Sequence, residues 1–186
     1  MTAQLLAAIE LQPATLAGLE YRIKAPSSLA RKIRKVVVKK MLTPSQAAEE
    51  LDDIIRYTVA TAKVGDLVPT LSMVVDSLIA SGWSVHSVEQ SFVKGSPYKG
   101  IHVVLVGPSG HRCEIQFHTE SALEIKELGH ADYEIYRDID LPLDVRVVAY
   151  QTSVHAWDPV PTPPGLRRLN TLGGVAVEAK KYPPPK

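Results

Sequence analysis

Over residues 112–118 apolar and polar side chains alternate strictly: Cys113, Ile115 and Phe117 point one way, and Arg112, Glu114, Gln116 and His118 the other. The pattern predicts a strand with one face in a core. Its polar face carries an acid, an amide and two groups able to hold positive charge, so the strand is either ordinarily solvated or the floor of a site. Residues 101–107, IHVVLVG, precede it across a Pro-Ser-Gly turn, and the two predict a hairpin. Strands are also predicted at LEYRIK (19–24), DIIRYTVAT (53–61) and WSVHSVEQSFV (83–93), each alternating or rich in β-branched residues.

Helical periods separate these runs. Residues 2–11 predict a short amphipathic helix. Pro26 with Ser27 or Ser28 opens a second through about Met41, with Leu29, Ile33, Val37 and Met41 as its buried stripe. Thr43-Pro44-Ser45 breaks it, and SQAAEEL forms a short helix. Residues 65–80 predict an apolar helix stopped by Gly82. Residues 119–138 predict an acidic helix capped by Thr119 or Ser121, and 141–156 fit helix or strand. From Pro159 the composition turns to proline and glycine and predicts a tail. The expectation is one domain over 1–158, a tail over 159–186, and an α+β fold: a mixed sheet of about five strands with flanking helices.

Charge and composition narrow the chemistry. The net charge of the 186 residues is +1, so no global field recruits nucleic acid or membrane, and any basic site is local. One cysteine excludes an internal disulfide and a cysteine-based zinc site, and agrees with a reducing, cytoplasmic site of action. The opening MTAQLLAAIEL lacks a basic n-region and makes a poor signal peptide. Delivery into another cell by a route without a cleaved signal stays open. No apolar run approaches the roughly 20 residues of a membrane span, so no membrane partner is expected. No glycine-rich phosphate loop is present, so phosphates would be held by side chains.

One basic run stands out. Residues 21–40 hold eight of the 21 basic residues and no acid. They are either a solvated helix face or a polyphosphate clamp in which Arg22 and Lys24 share a strand face and Lys32 and Arg34 converge from the next helix. Of Asp52 and Asp53, one suits a turn cap and the other a magnesium ligand. Tyr98, with Lys99 and His102 beside it, is a surface loop residue or a base-stacking platform. Lys126, His130, Tyr133 and Arg137 lie at helical spacings and predict a ridge over the strand's polar face. His86 and His155 are read as structural.

In order along the chain, YRIKAPSSLARKIRK, DIIRYTV, YKGIH, EIQFHT and GHADYE resemble the motifs of the RelA/SpoT nucleotide pyrophosphokinases over about residues 20–138. The resemblance implies that Arg22, Lys24, Ser28, Lys32 and Arg34 hold ATP. It implies that Asp53 and Glu114 hold Mg²⁺ and carry the catalytic carboxylate role, with Gln116 beside them. Tyr98 would stack the acceptor base, with Lys99, His102, His118 and His130 on the acceptor side. The implied reaction moves pyrophosphate from ATP to the 3′-hydroxyl of a purine nucleotide. Arg56 stands where the family usually has glycine, Thr58 where it has arginine, and His118 where it has arginine. These departures are similar to the divergent toxin branch, for which an immunity or antitoxin protein is a fitting partner. They leave the acceptor open among guanosine nucleotides, adenosine nucleotides and the 3′ end of tRNA. A non-catalytic nucleotide-binding module and an RNA-binding protein are the readings from other classes.

Overall fold

The alternation around Ile115 does place one face of a strand in the core. The computed structural model describes all 186 residues. In chain order its elements are α1 (Thr2–Ile9), β1 (Ala14–Ala17), α2 (Pro26–Lys40), α3 (Pro44–Glu49), β2 (Arg56–Thr61) and α4 (Leu67–Ala80). There follow β3 (Ser84–Gln90), β4 (Ile101–Val106), β5 (Arg112–Thr119), α5 (Glu120–Leu128), α6 (His130–Arg137), α7 (Leu143–Trp157), β6 (Thr171–Leu172) and β7 (Val175–Ala179). The strands form one mixed sheet in the order β1-β2-β5-β4-β3-β7-β6. Only β2–β5 and β3–β7 are parallel pairs. This is the α+β architecture expected, with seven strands instead of about five.

The two faces of the sheet have different fates. Tyr57, Val59, Val103, Leu105, Ile115 and Phe117 point to one side and pack against α4 and α1, whose Leu67, Leu71, Val74, Val75 and Leu5 complete the core. The other side carries Arg56, Thr58, Glu114, Gln116 and His102 in facing register positions. Helix α5 crosses this polar face, and α6 and α7 pack beside it. Burial of the apolar face fixes the register, because a slip of one residue would send Glu114 and Gln116 into the core.

Several expectations change. LEYRIK is not a strand: residues 19–21 form a 3₁₀ turn, and only Ile23 bridges to Ile55. Tyr21 and Ile23 are 72% and 63% exposed, so their alternation reflects no buried face. The expected buried stripe of α2 is only half-buried at Leu29, Ile33 and Val37, and Met41, which caps the helix in the left-handed region (φ 57°), is exposed. The acidic helix is two helices, with Thr119 capping α5 as expected and a break at Gly129. Residues 141–156 resolve as helix α7.

The largest correction concerns residues 159–186. They are not a tail. Leu166 and Leu172 enter the main core, and β7 adds to the sheet beside β3. The β6–β7 hairpin turns on Gly173 and Gly174, both at positive φ (56° and 81°), the two-glycine loop that matches strand twist. A side chain at Gly173 would also strike Val85, with its Cβ 2.5 Å from Cγ2.

Candidate active site

The site is assembled where the loop before β2 meets the polar face of β5. Asp53 lies in that loop. Lys24 Nζ donates to its Oδ2 at 2.7 Å, and Lys32 Nζ, from α2, donates to its Oδ1 at 2.6 Å. Burial opposes ionisation of Asp53, but the two ammonium groups outweigh it and hold the carboxyl below its ordinary range. Two clamp lysines and one expected metal ligand therefore meet at one point. Asp52 is not part of it; it pairs with Arg112 at 2.8 Å and ties the loop to the start of β5.

Glu114 lies opposite Arg56 in the β2–β5 register, a few positions on from Asp53. Both of its oxygens are held. His102 Nδ1 is 3.0 Å from Oε1, and Gln116 Nε2 donates to Oε2 at 2.6 Å. Burial raises the Glu114 pKa, but these hydrogen bonds and the His102 ring prevail and keep it low; the Asp53 charge pushes the other way. Glu114 N also donates to the carbonyl of Ile55, two residues on from Asp53, at 3.0 Å, which joins segments sixty-one positions apart in sequence (114 − 53). Gln116 is oriented in turn by Lys126 Nζ, which donates to its Oε1 at 2.8 Å. The sequence placed Lys126 on a ridge; the structure turns it into the site as Gln116's partner.

Lys126 supports a prediction. Burial, aided by the positive Arg56 nearby, pulls its pKa down to about 8. Its charged form is thus penalised in the folded state relative to an unfolded lysine near 10.4. Below pH 8 that penalty is full; between about 8 and 10.4 the unfolded chain binds more protons, so this group makes stability rise with pH. Lys126→Met is expected to gain about 1–2 kcal/mol near pH 7 and to flatten stability against pH across that window. Urea melts of both proteins from pH 7 to 10.5 test it; parallel curves would show that Lys126 carries no such penalty.

Tyr98 is not an open platform in this structure. It is 8% exposed, and Trp157 and Tyr182 lie against its ring at centroid distances of 5.1 and 6.0 Å. Its hydroxyl hydrogen-bonds His102 Nε2 at 2.7 Å and His118 Nε2 at 2.9 Å. His102 therefore links Tyr98 to Glu114. His118 is wholly buried; burial first, and the Lys126 charge second, push its pKa well below the ordinary value, so it is neutral. The glycine of YKGIH is explained by this packing: a Cβ on Gly100 would sit 2.6 Å from His118 Cε1 and 2.9 Å from the Tyr98 hydroxyl.

Tyr98→Phe looks mild from sequence because the ring remains. The structure reverses that expectation. The substitution strands two histidine nitrogens in a buried setting and is expected to cost about 1–3 kcal/mol of stability. Chemical denaturation measures it; a change under about 0.5 kcal/mol, the scale of an ordinary surface substitution, would mean that the hydroxyl network is unimportant.

The remaining residues divide. Arg22 lies beside the clamp, its Nη1 donating to Leu19 O at 3.1 Å and its own carbonyl accepting from Arg56 N at 2.7 Å. Ser28 is in the first turn of α2, and Arg34 is exposed further along it. Lys99 does not face the acceptor side. It is buried and donates to the carbonyls of Asp158 and Val160, at 3.1 and 2.8 Å, around the end of α7. His130 is exposed and stacks with Tyr133 at 6.5 Å, and Arg137 covers the same ring, all within α6 and apart from Lys126 on α5. His86 and His155 are exposed. Sequence reasoning missed Arg56 and Tyr182 as neighbours of the site. The departure from glycine at 56, opposite Glu114, was the available signal for the first.

The donor set suits a hard cation. Asp53 and Glu114 are both ionised and lie on adjoining segments, and magnesium takes one or two carboxylates with the remaining positions filled by water and phosphate oxygens. No group of three or more acidic, histidine or cysteine side chains gathers into an all-protein metal cage. Asp53 and Glu114 would hold such an ion, shared with a bound polyphosphate.

This fold and site define an α+β domain with a lysine–carboxylate cluster at one edge of the polar sheet face. Residues 21–139 match the family described as "Region found in RelA / SpoT proteins", and the chain belongs to that family. It is 31% identical over 139 residues to the GTP pyrophosphokinase rsh of Brucella ovis, covering 73% of this chain. It spans 18% of that relative's length. Among solved structures, the small alarmone synthetase 1 from Bacillus subtilis superposes with a TM-score of 0.53 at 21% identity, over 77% of this chain and 70% of that one. The type VI effector Tas1, solved with its immunity protein, gives 0.50 at 18% identity, over 84% and 86% of the two chains. These structures share the fold.

Proposed function

We propose that the protein is a Mg²⁺-dependent pyrophosphokinase that moves the β,γ-pyrophosphate of ATP to the 3′-hydroxyl of a purine nucleotide, giving (p)ppGpp- or (p)ppApp-type products. The observation that carries this is the meeting of Asp53, Lys24 and Lys32 beside Glu114. Lys24, Lys32 and Arg22, with Ser28 and Arg34 on α2, bind the donor phosphates, whose charge needs several cations once water is displaced. Glu114, ionised and fixed through both oxygens, accepts the 3′-hydroxyl proton as the oxygen attacks the β-phosphorus and AMP leaves. Gln116, held by Lys126, and His102 keep that carboxylate aimed. Asp53 and Glu114 would hold a magnesium ion, which would supply charge neutralisation on the phosphates. Positioning and electrostatics do most of the work, as in phosphoryl transfer generally.

The departures at Arg56, Thr58 and His118 support a growth-inhibiting toxin acting in the cytoplasm, with an immunity protein as partner. Tas1, which shares this fold, was solved with an immunity protein of its own. The exposed Arg34, Lys35 and Lys39 of α2 favour a second reading, transfer to the 3′ end of tRNA. The test is incubation with labelled ATP, Mg²⁺ and, separately, GDP, GTP, ADP, AMP and tRNA, with the products resolved. A labelled purine nucleotide is expected. Label on tRNA alone would favour the second reading, and no transfer to any acceptor would leave a nucleotide-binding module. Lys24→Ala is expected to weaken ATP by about 1–3 kcal/mol; unchanged affinity would count against the clamp.

A further inference from the structure

The segment after β7 runs on to α7 and to the loop that carries Tyr98. Lys180 N donates to Gln90 O at 2.8 Å, prolonging the β3–β7 pairing, and its ammonium pairs with Glu89. Tyr150 of α7 then donates its hydroxyl to the carbonyl of Tyr182 at 2.8 Å. These anchors lay the Tyr182 ring against Tyr98, edge to face at 6.0 Å, and on the small aromatic cluster of Tyr98 and Trp157. Its hydroxyl is raised in pKa by burial and by Tyr133, Glu89, Tyr136 and Glu114 around it. A planar ring therefore packs on Tyr98, whose hydroxyl reaches Glu114 through His102. On the acceptor reading given above, Tyr98 is the surface an acceptor base would stack on, and the Tyr182 ring lies against it.

We propose that Tyr182 occupies the acceptor-base subsite in cis, so that residues 180–186 form a strap that must leave before a purine nucleotide binds. The inference rests on the acceptor reading given above and adds its regulation. The anchors are few: one backbone bond, one partly exposed ion pair and one hydroxyl. Such a contact opens locally without unfolding the sheet. A purine offers a larger planar surface than a phenol and displaces it by stacking on Tyr98. The apparent affinity for acceptor is reduced by the fraction of time the strap is closed.

The experiment uses the full chain and needs no turnover. GDP and ADP, each without ATP, are titrated by calorimetry into the wild type, Tyr182→Ala and Tyr150→Phe. Amide exchange of residues 179–186 is followed in parallel. Tyr182→Ala is expected to bind one of the two nucleotides about tenfold more tightly, the effect of removing a strap closed about nine-tenths of the time. Tyr150→Phe, which loosens the anchor and keeps the ring, should shift the same way by less. Nucleotide should speed exchange in the wild-type strap. Weaker binding in Tyr182→Ala would make Tyr182 a wall of the pocket and overturn the proposal. Equal affinities with unchanged exchange would make the strap structural and also overturn it. Failure of both nucleotides to bind any of the three proteins would remove the acceptor reading itself, and the proposal with it.

Discussion

Glu114→Gln and Asp53→Asn are each expected to lower pyrophosphate transfer by roughly 10²–10⁴-fold, the range for loss of a positioned acid or base, while the fold survives. The two act at different points. Glutamine at 114 keeps hydrogen-bonding capacity toward Gln116 and His102 but cannot take a proton. Asparagine at 53 frees Lys24 and Lys32 from their shared counter-ion and removes a hard ligand from the phosphate side. On the proposed mechanism both carboxylates serve one centre, so the double variant should be little worse than the poorer single one. Raising Mg²⁺ should partly restore Asp53→Asn and leave Glu114→Gln unchanged, since added metal cannot supply a base. Single-turnover assays with circular dichroism decide the matter. Losses that multiply in the double variant would show two independent sites, and a tenth or more of wild-type activity in Glu114→Gln would remove it as the proton acceptor.

Much of that centre was legible in the chain. The alternation over 112–118 set which residues of β5 face the core and put Gln116 beside Glu114, and the motifs picked out Lys24, Lys32 and Asp53; the pairing of both lysines with Asp53 came only from the structure. Local pattern did not reveal where long side chains end. Lys99 and Tyr98 are neighbours in a loop, yet Lys99 is drawn to the carbonyls at the end of α7, about sixty residues away, and Tyr98 is covered by Trp157 from the same helix. Neither partner can be inferred from residues 94–100. The acidic run over 119–138 has one continuous helical period, and only Gly129 hints at the break. In LEYRIK the alternation was real but the exposure of Tyr21 and Ile23 shows that nothing covers it. The hairpin at 171–179 was the readable element that composition hid. TLGGVAV is a two-glycine turn between β-formers, but the prolines around it weighed the segment toward a tail.

Removal of residues 162–186 is therefore expected to damage the fold, where composition alone predicts indifference. Three losses add. Leu166 and Leu172, 4% and 5% exposed, leave the main core, and a buried leucine is worth about 2–5 kcal/mol. The half-buried Leu169, Val175 and Val177 go with them. Strand β3 loses its parallel partner from Val88 to Gln90 and becomes an exposed edge, a template for pairing with other chains. Relaxation of the remaining core recovers part of this, so the net cost should be roughly 4–8 kcal/mol, comparable to the whole stability of a typical domain. The truncated protein should melt far below the full chain or aggregate on expression. Substitution of Tyr182 alone touches neither Leu166 nor Leu172, loses only its packing on the Tyr98 and Trp157 cluster, and should lower the melting temperature far less. That contrast separates the two roles of the C-terminal residues: the hairpin holds the sheet together, and the strap beyond it lies on the site. A truncated chain that melts within a few degrees of the full one would show that the domain closes its core without β6 and β7.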